Sequence, residues 1–466
     1  MLALKIAFRN ILRNRRRSAM TGSAVAVGAL ALLAFGAFTT YIFAGLETGL
    51  VQQIGHIAVF RSGYFLFGPG NPTAYAIDDY QGVMKLIGDD PQLRPLVNVM
   101  TPTQFLVGIA GNFEEGNDAA KTFLGIGQIP SDREKMRRWD EFGAGRPNAR
   151  PAPMSDDDPS RGMIGLGLAR ILGLCGRLRV DGCPAPPQAA TPPGGAAARD
   201  DLAELAQRET AGTAPGPGAA PRLDLLAASV AGAPNVVSLN VAGVDPQGVK
   251  ELDDNYVGMH LSLAQQLVYG RGEHKATGII VQLHRSEDLP AARRRLAALI
   301  AAHKLDLELR DFAERTPFYG QVVKLFGAIF FFMAVIMGVI VLFAVVNTMT
   351  MNVMERVSEI GTTRAMGVRR SAVRRQFVLE GAMLGAIGAA LGLLLATAVV
   401  AAVNHAGIMW VPPGNALAIP LRLDLYGRPQ MLVDTWAGLV LVATIAALIP
   451  ANRAARLTVV DALRHV

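Results

Sequence analysis

Four stretches almost free of charge, residues 20–46, 322–350, 377–403 and 433–449, constrain this chain more than any other feature. A helix rises about 1.5 Å per residue, so each is long enough to cross a hydrocarbon layer about 30 Å thick. Inside such a layer every backbone polar group needs an internal partner, which makes the four stretches helices. Hydrophobic residues are 51% of the chain and mean hydropathy is +0.30, too apolar for a string of soluble domains. The first two stretches exceed the minimum span, which allows tilt or continuation beyond the bilayer as stalks.

A formal net charge of +7 would suit a nucleic-acid binder if it lay on a soluble surface, but here it sits beside the apolar stretches. Residues 1–18 carry Lys5, Arg9, Arg13, Arg15, Arg16 and Arg17 and no acid. Residues 352–376 carry Arg356, Arg364, Arg369, Arg370, Arg374 and Arg375 against Glu355 and Glu359, and the tail adds Arg453, Arg456 and Arg464 against Asp461. The positive-inside rule puts these three segments in the cytoplasm. The expected order is therefore a cytoplasmic amphipathic helix (1–18), a first span (19–46), an extracytoplasmic domain (47–321) and a second span (322–350). A cytoplasmic element (351–376), a third span (377–403), a short outer loop (404–432), a fourth span (433–451) and a cytoplasmic tail (452–466) follow. Membrane lipid is an implied partner and nucleic acid is not. The competing reading of the first span is a cleaved signal peptide, against which stands an apolar run longer than the usual 7–15 residues or so.

About 275 residues between the first two spans must fold, and their mixed signals read as α+β. Strand-like runs occupy 56–60, 104–109, 236–244 and 277–283, and 289–304 reads as an Ala/Arg-rich helix. Residues 184–221, rich in Pro, Ala and Gly, read as a flexible insertion with one short helix near 200–208. The only two cysteines, Cys175 and Cys183, exclude a disulfide scaffold. In an oxidising compartment they form either a bond closing a short loop or two unpaired thiols.

The stretch richest in functional signal joins the second and third spans. It reads Asn347, then Met354-Glu355-Arg356-Val357-Ser358-Glu359-Ile360-Gly361-Thr362-Thr363-Arg364-Ala365-Met366-Gly367, then Phe377 and Glu380. Val353, Val357, Ile360 and Met366 are spaced as an apolar stripe on a helix. Such a short amphipathic element suits docking in another protein's groove, with Gly367 reversing the chain and 368–375 returning as a basic interfacial segment. Glu380, at a membrane edge, is either a functional carboxylate or one facing interfacial water. Asn347 and Thr348 are expected to tie helices together by hydrogen bonds.

These residues resemble the permeases of the MacB, LolC/LolE and FtsX group of ABC transporters. That group's cytoplasmic loop reads E-R-x-x-E-I-G-x-x-(K/R)-A-x-G followed by F-x-x-E, matched here at Glu355, Arg356, Glu359, Ile360, Gly361, Arg364, Ala365, Gly367, Phe377 and Glu380. Residues 7–14 resemble its amphipathic helix leading into the first span and 450–456 its exit segment. Residues 165–174, 251–254 and 263–267 resemble the MacB-like periplasmic core, from which the Pro/Ala-rich insertion departs. The resemblance implies a four-helix permease with a large periplasmic domain in a bacterial inner membrane. It also implies a coupling helix at 355–367, Met366 included, that receives an ABC ATPase.

No Gly-x-x-x-x-Gly-Lys-Ser/Thr and no Gly-Lys pair occurs. The chain is therefore expected to be no enzyme and to hold no cofactor, with ATP and Mg on an ATPase subunit in trans. By resemblance it pairs with a second permease chain and with a periplasmic lipoprotein carrier or adaptor. The expected function is to transmit ATPase motion to the outer domain for lipoprotein release, as in LolC/LolE. The alternatives are MacB-like efflux of hydrophobic compounds or peptides and an FtsX-like scaffold regulating a cell-wall hydrolase. Gly-x-Ser-x-Gly and His-Glu-x-x-His are absent, which argues against a membrane-anchored enzyme.

Overall fold

The structure, a computed structural model, describes residues 2–113, 119–144, 154–180, 220–230, 232–247, 250–410 and 419–457. Helices α1 (Leu2–Arg13) and α2 (Arg15–Ile54) open the chain. They are followed by β1 (Ile57–Arg61), α3 (Tyr64–Phe67), α4 (Tyr80–Gly88), β2 (Val97–Asn112), β3 (Ala119–Gln128) and α5 (Pro130–Arg137). Next come β4 (Arg161–Ile164), α6 (Leu166–Ile171), β5 (Arg222–Ala228), β6 (Pro234–Val244), α7 (Lys250–Asp253), β7 (Tyr256–His260) and α8 (Leu261–Tyr269). After β8 (Gly278–Leu283), α9 (Leu289–Ala302), β9 (Leu307–Asp311) and α10 (Phe312–Arg315), the chain forms α11 (Pro317–Glu355) and α12 (Val357–Ala365). It ends with α13 (Arg370–Ala406), β10 (Met409–Trp410), β11 (Ile419–Pro420) and α14 (Pro429–Arg456).

Two compact units result. The first comprises Met1–Ala44, Phe318–Trp410 and Pro420–Val466. The second comprises Gly45–Pro317 and Val411–Ile419. Four helices, α2, α11, α13 and α14, are long and apolar enough to cross a membrane. Neither α2 nor α11 stops where its apolar stretch does. Hydropathy marks the part that lipid can cover, whereas a helix continues through polar flanks until something breaks it. For α2 that is Gly55, whose φ of +68° ends the helix in the left-handed region. A Cβ there would also fall 2.4 Å from the Ile280 side chain.

In the first unit α13 supplies the close contacts, because small residues let helix backbones approach where apolar burial gives no drive. A Cβ on Gly381 would lie 2.3 Å from that of Ala447 on α14, and one on Gly392 would lie 2.4 Å from that of Ala29 on α2. Much of α11 instead turns large apolar side chains outward, with Phe331, Phe332 and Phe343 each exposed.

The second unit is built on a split βαβ pattern. Strands β1, β2, β8 and β9 lie in the order β2-β8-β1-β9, all antiparallel, with Ile57, Val59, Ile279 and Val281 packing on Leu296 of α9. The far half of β2 enters a second lobe. There β3, β7, β4, β6, β5 and β2 pair in succession, and β3 pairs with β2, so the ring closes and leaves no free edge among them. Leu106, Phe123, Leu225 and Val257 of this ring pack with Leu168 of α6 and Leu267 of α8. The strand runs expected at 56–60, 104–109, 236–244 and 277–283 all fall in or across strands, and the helix expected at 289–304 is α9. Most of the 184–221 insertion, with the helix expected near 200–208, lies outside the described residues.

Candidate functional site

Between α11 and α13 the expected single element of residues 351–376 resolves into three parts. Helix α11 runs on through Glu355, Arg356 (φ −112°) interrupts it, and α12 occupies only nine residues. Gly367, at φ +94°, reverses the chain. The basic segment expected at 368–375 is not a separate interfacial piece, because its residues from Arg370 onward form the first turns of α13.

The expected stripe of Val353, Val357, Ile360 and Met366 splits: the first three turn into this chain, and Met366 stays outside. Val353 and Ile360 are buried against Val373, Phe377, Ala451 and Ala454, and Val357 and Gly361 are buried too. A nine-residue helix has one apolar side, and α13 and α14 take it. What α12 leaves outward, besides the paired Glu359, is small: Ser358, Thr362, Thr363 and Ala365, followed by Met366, which is 74% exposed, and Gly367.

The charged residues of the motif bind this chain itself. Arg356 Nη1 lies 3.1 Å from Glu380 Oε1, with side-chain exposures of 11% and 3%. Its Nε donates to Glu359 at 3.0 Å and its guanidinium stacks 5.4 Å from the Phe377 ring centroid. Glu380 therefore faces protein and not interfacial water, and it also accepts from Asn10 Nδ2 at 2.6 Å. Glu359 pairs with Arg13 at 3.1 Å. That bond from Arg13, with help from Arg356, holds the Glu359 carboxyl below its ordinary range. Glu355 pairs with Arg17, and Arg364 donates to the carbonyls of Ala455 and Leu457. Thr348 meets Thr21 across α11 and α2 at 2.5 Å, whereas Asn347 is exposed.

Sequence reasoning did not single out Asn10 and Asn14. Asn14 donates to Asn352 at 3.3 Å, and with Asn10 it fastens α1 to the residues around α12. Their signal is in the chain: two asparagines four apart, on the same helix side as Ala7 and Ile11.

In the second unit, the last turn of α2 is held by side chains from three elements. Gln282 of β8 donates to Val51 O at 3.2 Å, Arg133 of α5 donates to Gln52 O, and Arg315 of α10 donates to Ile54 O at 2.7 Å. Gln52 O and Ile54 O are carbonyls that a helix C-terminus leaves without internal partners, whereas Val51 O also accepts from Gly55 N at 3.0 Å. Directly beyond, Ile57 of β1 pairs with Asp311 of β9, so the strand after α2 lies beside the strand before α11. His56 sits buried in this joint. Its Nδ1 accepts from Leu283 N at 3.0 Å, Nε2 lies 3.1 Å from Ser286 Oγ, and Trp139 packs edge-on at 5.0 Å. Burial pushes its pKa down to about 4. Cys175 is buried and disulfide-bonded, and Cys183 lies outside the described residues.

Residues 331–459 match the FtsX-like permease C-terminal family. The chain is 30% identical over 194 residues to the macrolide export ATP-binding/permease protein MacB of Escherichia coli, covering 41% of this chain and 28% of the relative. The MacB protein of Rhodopirellula baltica is 29% identical over 203 residues, 40% of this chain and 26% of that one. The ABC transporter permease YtrF of Bacillus subtilis is 35% identical over 136 residues, 28% of this chain and 30% of YtrF. The chain thus spans about a quarter to a third of the length of these relatives.

Proposed function

We propose that this chain, an ABC transporter permease of the MacB/FtsX group, transmits the motion of a nucleotide-binding subunit in trans to the region between its first two spanning helices. That region lies on the outer side of a bacterial inner membrane, with both termini inside. The observation that carries the reading is the set of bonds fixing α12. Arg356 ties it to α13 through Glu380, Glu359 ties it to α1, and Arg364 ties it to the end of α14. A push on α12 is passed through these bonds to α1, α13 and α14. Because α2 and α11 are unbroken helices leading to and from paired strands, displacement of their inner ends is delivered as displacement of β1 and β9.

The ATPase meets Ser358, Thr362, Ala365, Met366 and Gly367, the outward side of α12, and a second permease chain completes the assembly. For cargo, similarity to relatives named for macrolide export favours a hydrophobic compound or peptide. Lipoprotein release through a carrier is the competing outcome. The deciding experiment places cysteines singly at Ser358 and Thr362 and crosslinks membranes from cells making the ATPase. Crosslinks to the ATPase at both positions, and none at exposed Arg294 of α9, are expected. ATPase copurification without either crosslink would sink the docking face. Drug susceptibility and outer-membrane lipoprotein content of a deletion strain then separate the cargo classes.

A further inference from the structure

The arginines at the inner end of the first unit divide into two sets. Arg13, Arg17 and Arg356 are committed to carboxylates of this chain and Arg364 to carbonyls. Arg9, Arg15, Arg16, Arg369, Arg370, Arg374, Arg375, Arg453 and Arg456 are all exposed, and among the described residues none has an acidic partner. The positive-inside rule explains why arginines gather here, but not why so many keep their charge free while neighbours are neutralised.

Part of the uncommitted set lies next in sequence to an apolar strip. Helix α1 turns Ala7 inward and sends Asn10 to Glu380, which fastens it against α13. Its other side carries Phe8 and Leu12, four apart and therefore neighbours on one face, 49% and 48% exposed. Arg9, Arg15 and Arg16 adjoin that strip in sequence. Arg374 and Arg375 lie on α13 just before Glu380, where α1 is attached, and α13 has no acid in its first turn. An apolar stripe beside unneutralised arginines, continuous with a spanning helix, suits the boundary between acyl chains and headgroups.

We infer that α1 and the start of α13 form a binding surface for anionic phospholipid. The arginines hold the phosphate headgroup and Phe8 and Leu12 lie along the acyl chains. This rests on the inner-face placement of α1 and needs neither the ATPase nor a cargo, so it can fail while the transport reading stands. Because Asn10 and Arg13 join α1 to Glu380 and Glu359, lipid bound there bears on the same network as the coupling helix.

The test is native mass spectrometry of the full chain purified in mild detergent with equal phosphatidylglycerol and phosphatidylcholine. The chain retains phosphatidylglycerol preferentially. Arg9→Gln/Arg15→Gln/Arg16→Gln weakens that retention about a hundredfold, since each basic residue near an anionic surface contributes about a factor of five. Arg374→Gln/Arg375→Gln, which leaves the N-terminal charges intact, weakens it about twentyfold on the same scale. Phe8→Ser/Leu12→Ser also lowers retention, as it would not for a site that binds only an anion. Wild-type retention in both arginine variants overturns the inference, and so does retention insensitive to the Phe8/Leu12 change. If protease mapping shows only inverted insertion, with lipid binding unchanged, the arginines are topogenic alone and the inference fails.

Discussion

The bond between Arg356 and Glu380 allows an asymmetric prediction. Both side chains are nearly removed from water, at 11% and 3% exposure, so deleting one leaves the other charged and buried. Such losses cost about 3–5 kcal/mol in buried pairs. The two partners are not equally placed to survive alone. After Glu380→Gln, Arg356 still has Glu359 at 3.0 Å, a carboxylate about half exposed, and Asn10 can still donate to the new amide oxygen. The cost should sit at the low end, about 3 kcal/mol. After Arg356→Gln, Glu380 keeps only the neutral amides of Asn10 and Gln376, at 2.6 and 3.4 Å. Neutral donors compensate a buried carboxylate less well than a guanidinium, so this cost should approach about 5 kcal/mol. The double variant removes both charges, and its cost should fall short of the summed singles by about 2–3 kcal/mol. Equilibrium unfolding of the purified chain in mixed micelles, read through tryptophan fluorescence, measures all three. The reasoning is refuted if Glu380→Gln is the costlier single change, or if the double variant equals the sum.

Three further outcomes follow from the geometry. His56 titrates near 6.5 when unfolded and near 4 when folded, so the neutral ring stabilises the fold fully above about pH 6.5. That contribution, about 3 kcal/mol for a shift of this size, is lost as pH falls from about 6.5 towards 4. Denaturation across that range, followed through Trp139 in a Trp410→Phe/Trp436→Phe background, should show a slope that His56→Gln removes. Gly392→Val should cost at least about 1–3 kcal/mol, because its Cβ would meet Ala26 O at 2.6 Å and Ala29 Cβ at 2.4 Å. Gly438→Ala on the open side of α14, with nothing within 4 Å, should change thermal stability in detergent little. Arg315→Met leaves Ile54 O without its donor, and amide exchange at Gly55 and His56 should speed up several-fold while Leu225 in the second lobe stays protected.

Much of this protein was legible along the chain, because the physics involved is local. A run of about twenty nearly uncharged residues makes a helix long and apolar enough to span a membrane, which depends only on neighbours in sequence. Alternation within 236–244 and the apolar β-branched run Ile279-Ile280-Val281 within 277–283 marked strands for the same reason. The motif from Glu355 to Gly367 could be picked out by residue type and spacing, and Gly367 does supply the reversal its type suggested.

Tertiary structure alone decided what those residues face. The periodicity of Val353, Val357 and Ile360 is the same whether the stripe meets a partner or the chain's own helices. The choice fell to α13 and α14, which sequence separation hides. Glu380 could have faced water until Asn10, 370 positions away, and Arg356 closed over it. The joint at the end of α2 carried no sequence signal, since Arg133, Gln282 and Arg315 come from three elements 81 to 261 residues distant. Composition determined that four stretches are long and apolar enough to span a membrane and where the charges gather, whereas only packing decided which charges hold α12 and which are left free.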